Sequence, residues 1–195
     1  MGPIYKMTDI SKIYFLVEEL SIEPVIKKCV EELKIKSICH IRPHQGKQDL
    51  RKALPKVIPS LSKQPNVAIF IITDQDNKDC KTLKQEIMQD FESNCHCLFA
   101  VCIACQELEA WFLGDIQALD KAFLKFKPTK YINKKMFRDV DSIAQPSKEL
   151  KTIVSETTVS KVKNAKQIAP HMNINNNTSA SFQYFVNKLK AFSGT

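Results

Sequence analysis

The sequence predicts an α/β fold: a Rossmann-like, mostly parallel sheet with helices on both faces and a helical region appended at the C-terminal end. Three observations predict it. Continuous apolar runs of strand length recur through residues 13–104, stretches with apolar residues at helical spacing separate them, and the runs end abruptly in polar or acidic residues.

The first run, Ile13-Tyr14-Phe15-Leu16-Val17, stops at Glu18-Glu19, as a strand buried on both faces does where it emerges at a polar edge. Val25, Ile26, Cys29, Val30 and Leu33 then mark a helix over 23–33, with Ser21 a candidate N-cap and Pro24 tolerated in the first turn. A second strand is expected over 37–41, a second helix over 48–61, and a third buried strand over 67–72 that runs into Asp74. A helix over 79–91, a strand over 97–104 and a helical stretch over 107–113 follow. Four strands alternating with helices imply right-handed crossovers and a parallel sheet covered on both faces. Beyond Asp115 the chain turns basic and proline-punctuated, with Lys121, Lys125, Lys127, Lys130, Lys134, Lys135 and Arg138. A polar, asparagine-rich loop over 173–181 precedes a last amphipathic helix carrying Phe182, Phe185, Val186 and Leu189. Residues 1–195 therefore read as one domain, with a core over about 12–115 and a basic, mainly helical subregion over about 116–195.

An apolar content of 44% builds one core without disulfides. No stretch approaches the roughly 18 apolar residues of a membrane span, and no secretory signal opens the chain. The expectation is a cytoplasmic protein with no membrane partner. Met7 reads as a natural start, with a leader before it, because the periodic pattern begins only near Ile13. Lys and Arg total 29 against 21 for Asp and Glu, and the net charge of +8 favours a polyanion such as nucleic acid. The seven cysteines, scattered through apolar segments as at Cys29, Cys80 and Cys102, read as reduced thiols with neither a disulfide nor a zinc site. Cys95 and Cys97 cannot share an ion with Cys102 and Cys105, because a strand over 97–104 separates its ends by more than about 20 Å.

In open α/β sheets functional groups gather beyond the carboxyl ends of the strands, where Glu18, Asp74 and Asp76 all fall. Hard carboxylate oxygens there suit Mg²⁺ or Mn²⁺, which take carboxylates plus water and leave room for phosphate. The plainer alternative makes Asp76 a cap for the helix starting near Lys78 and Asp74 an acceptor of loop N–H groups. Two strand ends delivering unpaired acids to one edge is costly unless a cation compensates, which favours the metal. Glu107 and Glu109 follow strand four at the same edge, but an i, i+2 pair on a helix points to different faces, so one of them is expected to reach the centre. Both also read as helix N-terminal acids favoured by the dipole, and Asp115 reads as a cap. Gln45-Gly46-Lys47 precedes helix two, where N–H groups and a lysine can receive phosphate, although on spacing alone a turn with a solvated lysine is the favoured account. No Walker A sequence or serine elbow is present.

These blocks carry a resemblance. Phe15-Leu16-Val17-Glu18-Glu19, Gln45-Gly46-Lys47-Gln48-Asp49-Leu50, Asp74-Gln75-Asp76 with Asp79-Cys80 and Leu83-Lys84, Glu107-Leu108-Glu109-Ala110-Trp111 with Leu113-Gly114-Asp115, and Ser179-Ala180-Ser181-Phe182 resemble the bacterial domain of unknown function family 4276. That family is related to Toprim domains, and the overcoming-lysogenization-defect nucleases carry a similar domain. The resemblance implies a Toprim-type fold, with Glu18 matching the Toprim glutamate and Asp74 and Asp76 its Asp-x-Asp pair. It also implies Gln45 and Lys47 as substrate contacts, and a place in phage defence beside an ABC-type ATPase partner. Many nuclease-type Toprims carry glycine where Glu19 stands and an acid where Ile22 stands, so their second-metal geometry does not transfer.

Two functions from different classes follow. One is a Mg²⁺- or Mn²⁺-dependent nuclease cutting DNA or RNA, with Glu18, Asp74, Asp76 and Glu107 on the metal, Glu109 joining the catalytic acids, and Lys47 with Lys134, Lys135 and Arg138 on the strand. The other is a non-catalytic sensor or partner subunit that keeps the acid pocket but binds an ATPase or nucleic acid. A receiver-like phosphoacceptor at Asp74 is a third.

Overall fold

The architecture is that of a computed structural model describing residues 10–76 and 78–194. The expected leader lies outside the described residues. Four strands, β1 (Lys12–Val17), β2 (Ile38–Pro43), β3 (Val67–Asp74) and β4 (Leu98–Ala104), form one all-parallel sheet in the order β2-β1-β3-β4. The α/β class read from the sequence is the class of the structure. Among the described residues no helix is long and apolar enough to cross a membrane.

Strand period divides the core in two. Ile13, Phe15, Val17, Phe70 and Ile72 face one side, where α1 (Glu23–Glu32) and the C-terminal helix cover them. Tyr14, Leu16, Ile69 and Ile71 face the other, under α2 (Lys47–Leu61) and α3 (Cys80–Gln89). Sandwiching between helices explains why the central strands are apolar at nearly every position. β2 differs: it is an edge strand, half-exposed and polar, and runs past the expected 41 because backbone pairing with β1 continues through Arg42 to Pro43 opposite Val17. β3 likewise extends to Asp74, paired with Ala104.

Beyond β4 the chain is helical in short pieces: α4 (Glu109–Leu113), α5 (Ile116–Ala122), α6 (Pro146–Ile153), α7 (Lys161–Ile168) and α8 (Ala180–Ser193). α8 docks on the sheet, with Phe185 and Phe192 ring centroids 5.9 and 5.2 Å from Phe70. Fully buried Trp111 stacks on Phe185 at 5.5 Å and donates its indole N–H to Ser181 Oγ over 2.8 Å. Asp141 accepts from Ser179 Oγ and from the Ser181 backbone N–H, both at 2.7 Å, and Ser179 caps α8 through the Phe182 N–H. The late serine-rich block is thus a fastening between the helical subregion and the sheet. Asp115 caps α5 through the Ala118 N–H at 2.9 Å.

Gly114 is required by close approach. A Cβ there would stand 2.1 Å from Asn177 Oδ1 and 2.9 Å from the Ser179 backbone nitrogen. Asn177 is not free to withdraw, because it donates to the Trp111 carbonyl and accepts from the Ser179 N–H. Gly114→Ala should therefore cost about 1–3 kcal/mol through overpacking, read as a lower urea midpoint with an unchanged slope.

Candidate active site

In the order β2-β1-β3-β4 the direction of winding reverses between β1 and β3, and the crevice at such a switch point is the usual place for a ligand. Val17 is in register with Ile72, so Glu18 emerges beside Thr73 and Asp74. Glu18 Oε2 accepts from the Thr73 hydroxyl and from the Asp74 backbone N–H, the latter at 3.1 Å. The Gln45-Gly46-Lys47 turn holds the Glu18 backbone in place. His44 donates its N–H to the Val17 carbonyl at 2.9 Å, and Gly46, at φ +92°, donates to the Glu18 carbonyl at 3.0 Å. The Gln45 N–H is taken by Asp49 at 3.0 Å, so two backbone donors that a phosphate would seek at this turn already have partners.

Glu18, Glu19, Thr73 and Asp74 line one cleft, floored by Ile22, Ile72 and Leu108. Glu109, at the start of α4, is 5% exposed, and its Oε2 is buried with no hydrogen-bond partner. Burial raises the Asp74 carboxyl well above the ordinary carboxylate range, with Glu18 adding most among the charges and Lys161 opposing. Burial also raises Glu109 against the pull of Lys161. Burial disfavours the Lys161 ammonium, but Glu109, Glu19 and Asp74 outweigh it and hold its pKa above the usual value. Lys161 Nζ lies 3.4 Å from Glu19 Oε1, which also accepts from Ser21 Oγ at 2.7 Å.

The expected acids therefore meet in part. Glu18 and Asp74 share the cleft and Glu109 stands beside it, whereas Asp76 does not line it. Asp76 sits on a left-handed turn at φ +55°, pairs with Lys47, and leaves 59% of its side chain exposed. Its backbone N–H bonds the Gln106 carbonyl at 3.0 Å, and Gln75 ties the same two loops by receiving the Gln106 N–H at 2.9 Å. The cap of α3 is Asp79, through the Thr82 N–H at 2.9 Å, and not Asp76. Glu107 turns the other way and accepts from the Ser147 N–H at 2.7 Å, serving the N-terminus of α6. Lys134, Lys135 and Arg138 do not line the acidic cleft; the Lys134 ammonium rests 4.6 Å over the Tyr131 ring. Cys95 and Cys97 lie 3.9 Å apart at one end of β4, and Cys105 lies 3.5 Å from Cys80 at the other, all as free thiols.

The model of the family described as Domain of unknown function (DUF4276) matches residues 17–190. The chain belongs to that family. No curated protein and no solved structure matches the chain significantly. The span of the DUF4276 match opens one residue before Glu18 and takes in Lys161, so every acid of the cleft and its cation lie inside it.

Lys161 and Thr73 were not legible in the sequence. Lys161 is one of 29 basic residues, and its only signal was Ser160, a capping residue that makes it the first residue of α7.

The raised Asp74 pKa means that the folded chain holds this proton more tightly than the unfolded chain does. Its contribution is neutral below the ordinary aspartate value, becomes a cost as pH rises from that value towards the folded one, and is full above the folded value. Asp74→Asn should therefore raise the urea midpoint at pH 7 to 8, with the gain vanishing near pH 4. A variant less stable than the parent at pH 7 would contradict the crowding described here.

Proposed function

We propose that this chain is a Toprim-type, divalent-metal-dependent phosphodiesterase acting on nucleic acid. The observation that carries the reading is the buried, unpartnered Oε2 of Glu109 beside the like-charged pair Glu18 and Asp74. Burying carboxylates of one sign without partners is expensive, and a hard cation relieves that cost.

Among the described residues no three Asp, Glu, His or Cys side chains already converge on one point. The donor set nevertheless fits Mg²⁺ or Mn²⁺ in kind, with Glu18, Asp74 and Glu109 as the residues that would hold it. When bound, such an ion lowers the pKa of water and stabilises charge on a phosphoryl oxygen. The chain's own residues supply the rest. Thr73 and the Asp74 N–H fix Glu18 Oε2 in one direction. The apolar lining of Ile22, Ile72 and Leu108 lowers the local dielectric and strengthens the electrostatics of the cleft. Lys161 offsets the charge of the acids. Asp76, held by Lys47, belongs to the rim. An ABC-type ATPase partner and a role in phage defence are parts of the same proposal.

Asp74→Asn and Glu109→Gln should each lower Mg²⁺- or Mn²⁺-dependent cleavage of DNA or RNA by at least about 100-fold, while oligonucleotide affinity changes by less than about threefold, since affinity comes from cations that neutralise phosphates. The assay runs with and without the ATPase partner. Cleavage by Asp74→Asn at the parent rate in every condition would leave the non-catalytic subunit as the reading.

A further inference from the structure

A second cleft opens on the far side of Glu109 and Lys161. It has a volume of about 340 Å³ and lies between α6, the 154–160 segment and the start of α7. That volume lies within the range of roughly 300–1,000 Å³ usual for sites holding a small molecule or one unit of a polymer. Lys148 and Lys151 line it together with Lys161, so three lysines and one carboxylate residue, Glu109, share its wall. Lys148 and Lys151 are three residues apart on α6, on one face, with Cβ atoms about 5–6 Å apart. Among the described residues the other two lysines near the acids have ion-pair partners, Lys47 with Asp76 and Lys161 with Glu19, whereas Lys148 and Lys151 have none. Val159, 97% exposed at the lip, offers the cleft an uncovered apolar surface.

We propose that this cleft is a nucleotide subsite, in which Lys148 and Lys151 hold the phosphodiester next to the one presented to the acidic cleft, and Val159 packs on its sugar or base. The proposal rests on the nuclease reading and adds where the strand runs: past Glu109 and over α6, and not along Lys134, Lys135 and Arg138. Concavity distinguishes it from a membrane-binding patch, and the shared wall of Glu109 and Lys161 couples it to the acids.

The test is binding of a fluorescent 12-nucleotide single strand, in DNA and RNA forms, to the full chain in EDTA across salt concentrations, so that cleavage plays no part. Lys148→Gln/Lys151→Gln is compared with Lys134→Gln/Lys135→Gln, which removes the same charge elsewhere; circular dichroism confirms that both are folded. The first variant should bind at least about 10-fold more weakly, with the log–log salt slope reduced by about 1–2, and the second should stay within about threefold of the parent. Equal losses in the two variants, or no loss in the first, would overturn the subsite while leaving the nuclease reading intact if the parent cleaves. A parent that neither binds nor cleaves either strand would overturn both. A preference of the parent for DNA or for RNA that the first variant loses would support the subsite and name its strand.

Discussion

The arrangement around the acids depends on a single constraint, the pairing of β1 with β3. Because Val17 lies opposite Ile72, Glu18, the first residue past β1, must emerge beside Thr73 and Asp74, the last two residues of β3. Two carboxylates crowded into one partly buried crevice repel, and each is costly to keep charged there, against a domain's small net stability. The structure meets this cost partly from within. The Thr73 hydroxyl and the Asp74 N–H donate to Glu18, and Lys161 stands among Asp74, Glu19 and Glu109. What is left over is the raised Asp74 and the unpartnered Glu109 oxygen, the unfavourable charge on which the proposed cation site rests.

The helical subregion completes this edge of the sheet. Its fastening to the core runs through Trp111, Ser181, Asp141 and Asn177, a set of buried polar contacts in which most donors and acceptors are matched. α7 carries Lys161 to the acids, and α6 carries its N-terminus to Glu107. Glu19 belongs to the same contact: its charge is paired with Lys161 and hydrogen-bonded by Ser21.

The sheet was legible in the sequence because β1, β3 and β4 are covered on both faces and their apolar runs are continuous. The ends of elements were less so. Nothing in the composition of Arg42 and Pro43 marks a strand, since backbone pairing with β1 makes it one. Glu18 and Asp74 could be placed together because strand direction alone fixes which edge their ends reach. Asp76 could not be separated from them, because its left-handed turn and its pairing with Lys47 arise from the loop geometry of β4 and α2. The choice between Glu107 and Glu109 was equally closed to sequence reading: it is decided by Ser147, 40 residues away from Glu107. Lys161 lies 142 residues from its partner Glu19, beyond the reach of any local pattern.

The central claim is that the carboxylates at the β1–β3 switch point form a seat for a hard divalent cation. Calorimetric titration of Mn²⁺ into the metal-stripped chain tests it most directly, comparing the parent with Glu18→Gln and Asp76→Asn. The account predicts stoichiometric binding to the parent, abolished by Glu18→Gln and retained by Asp76→Asn with an affinity within about 10-fold, the range for a group outside the ligand set. Absence of Mn²⁺ binding to the parent, or binding that survives Glu18→Gln and is lost with Asp76→Asn, would contradict it.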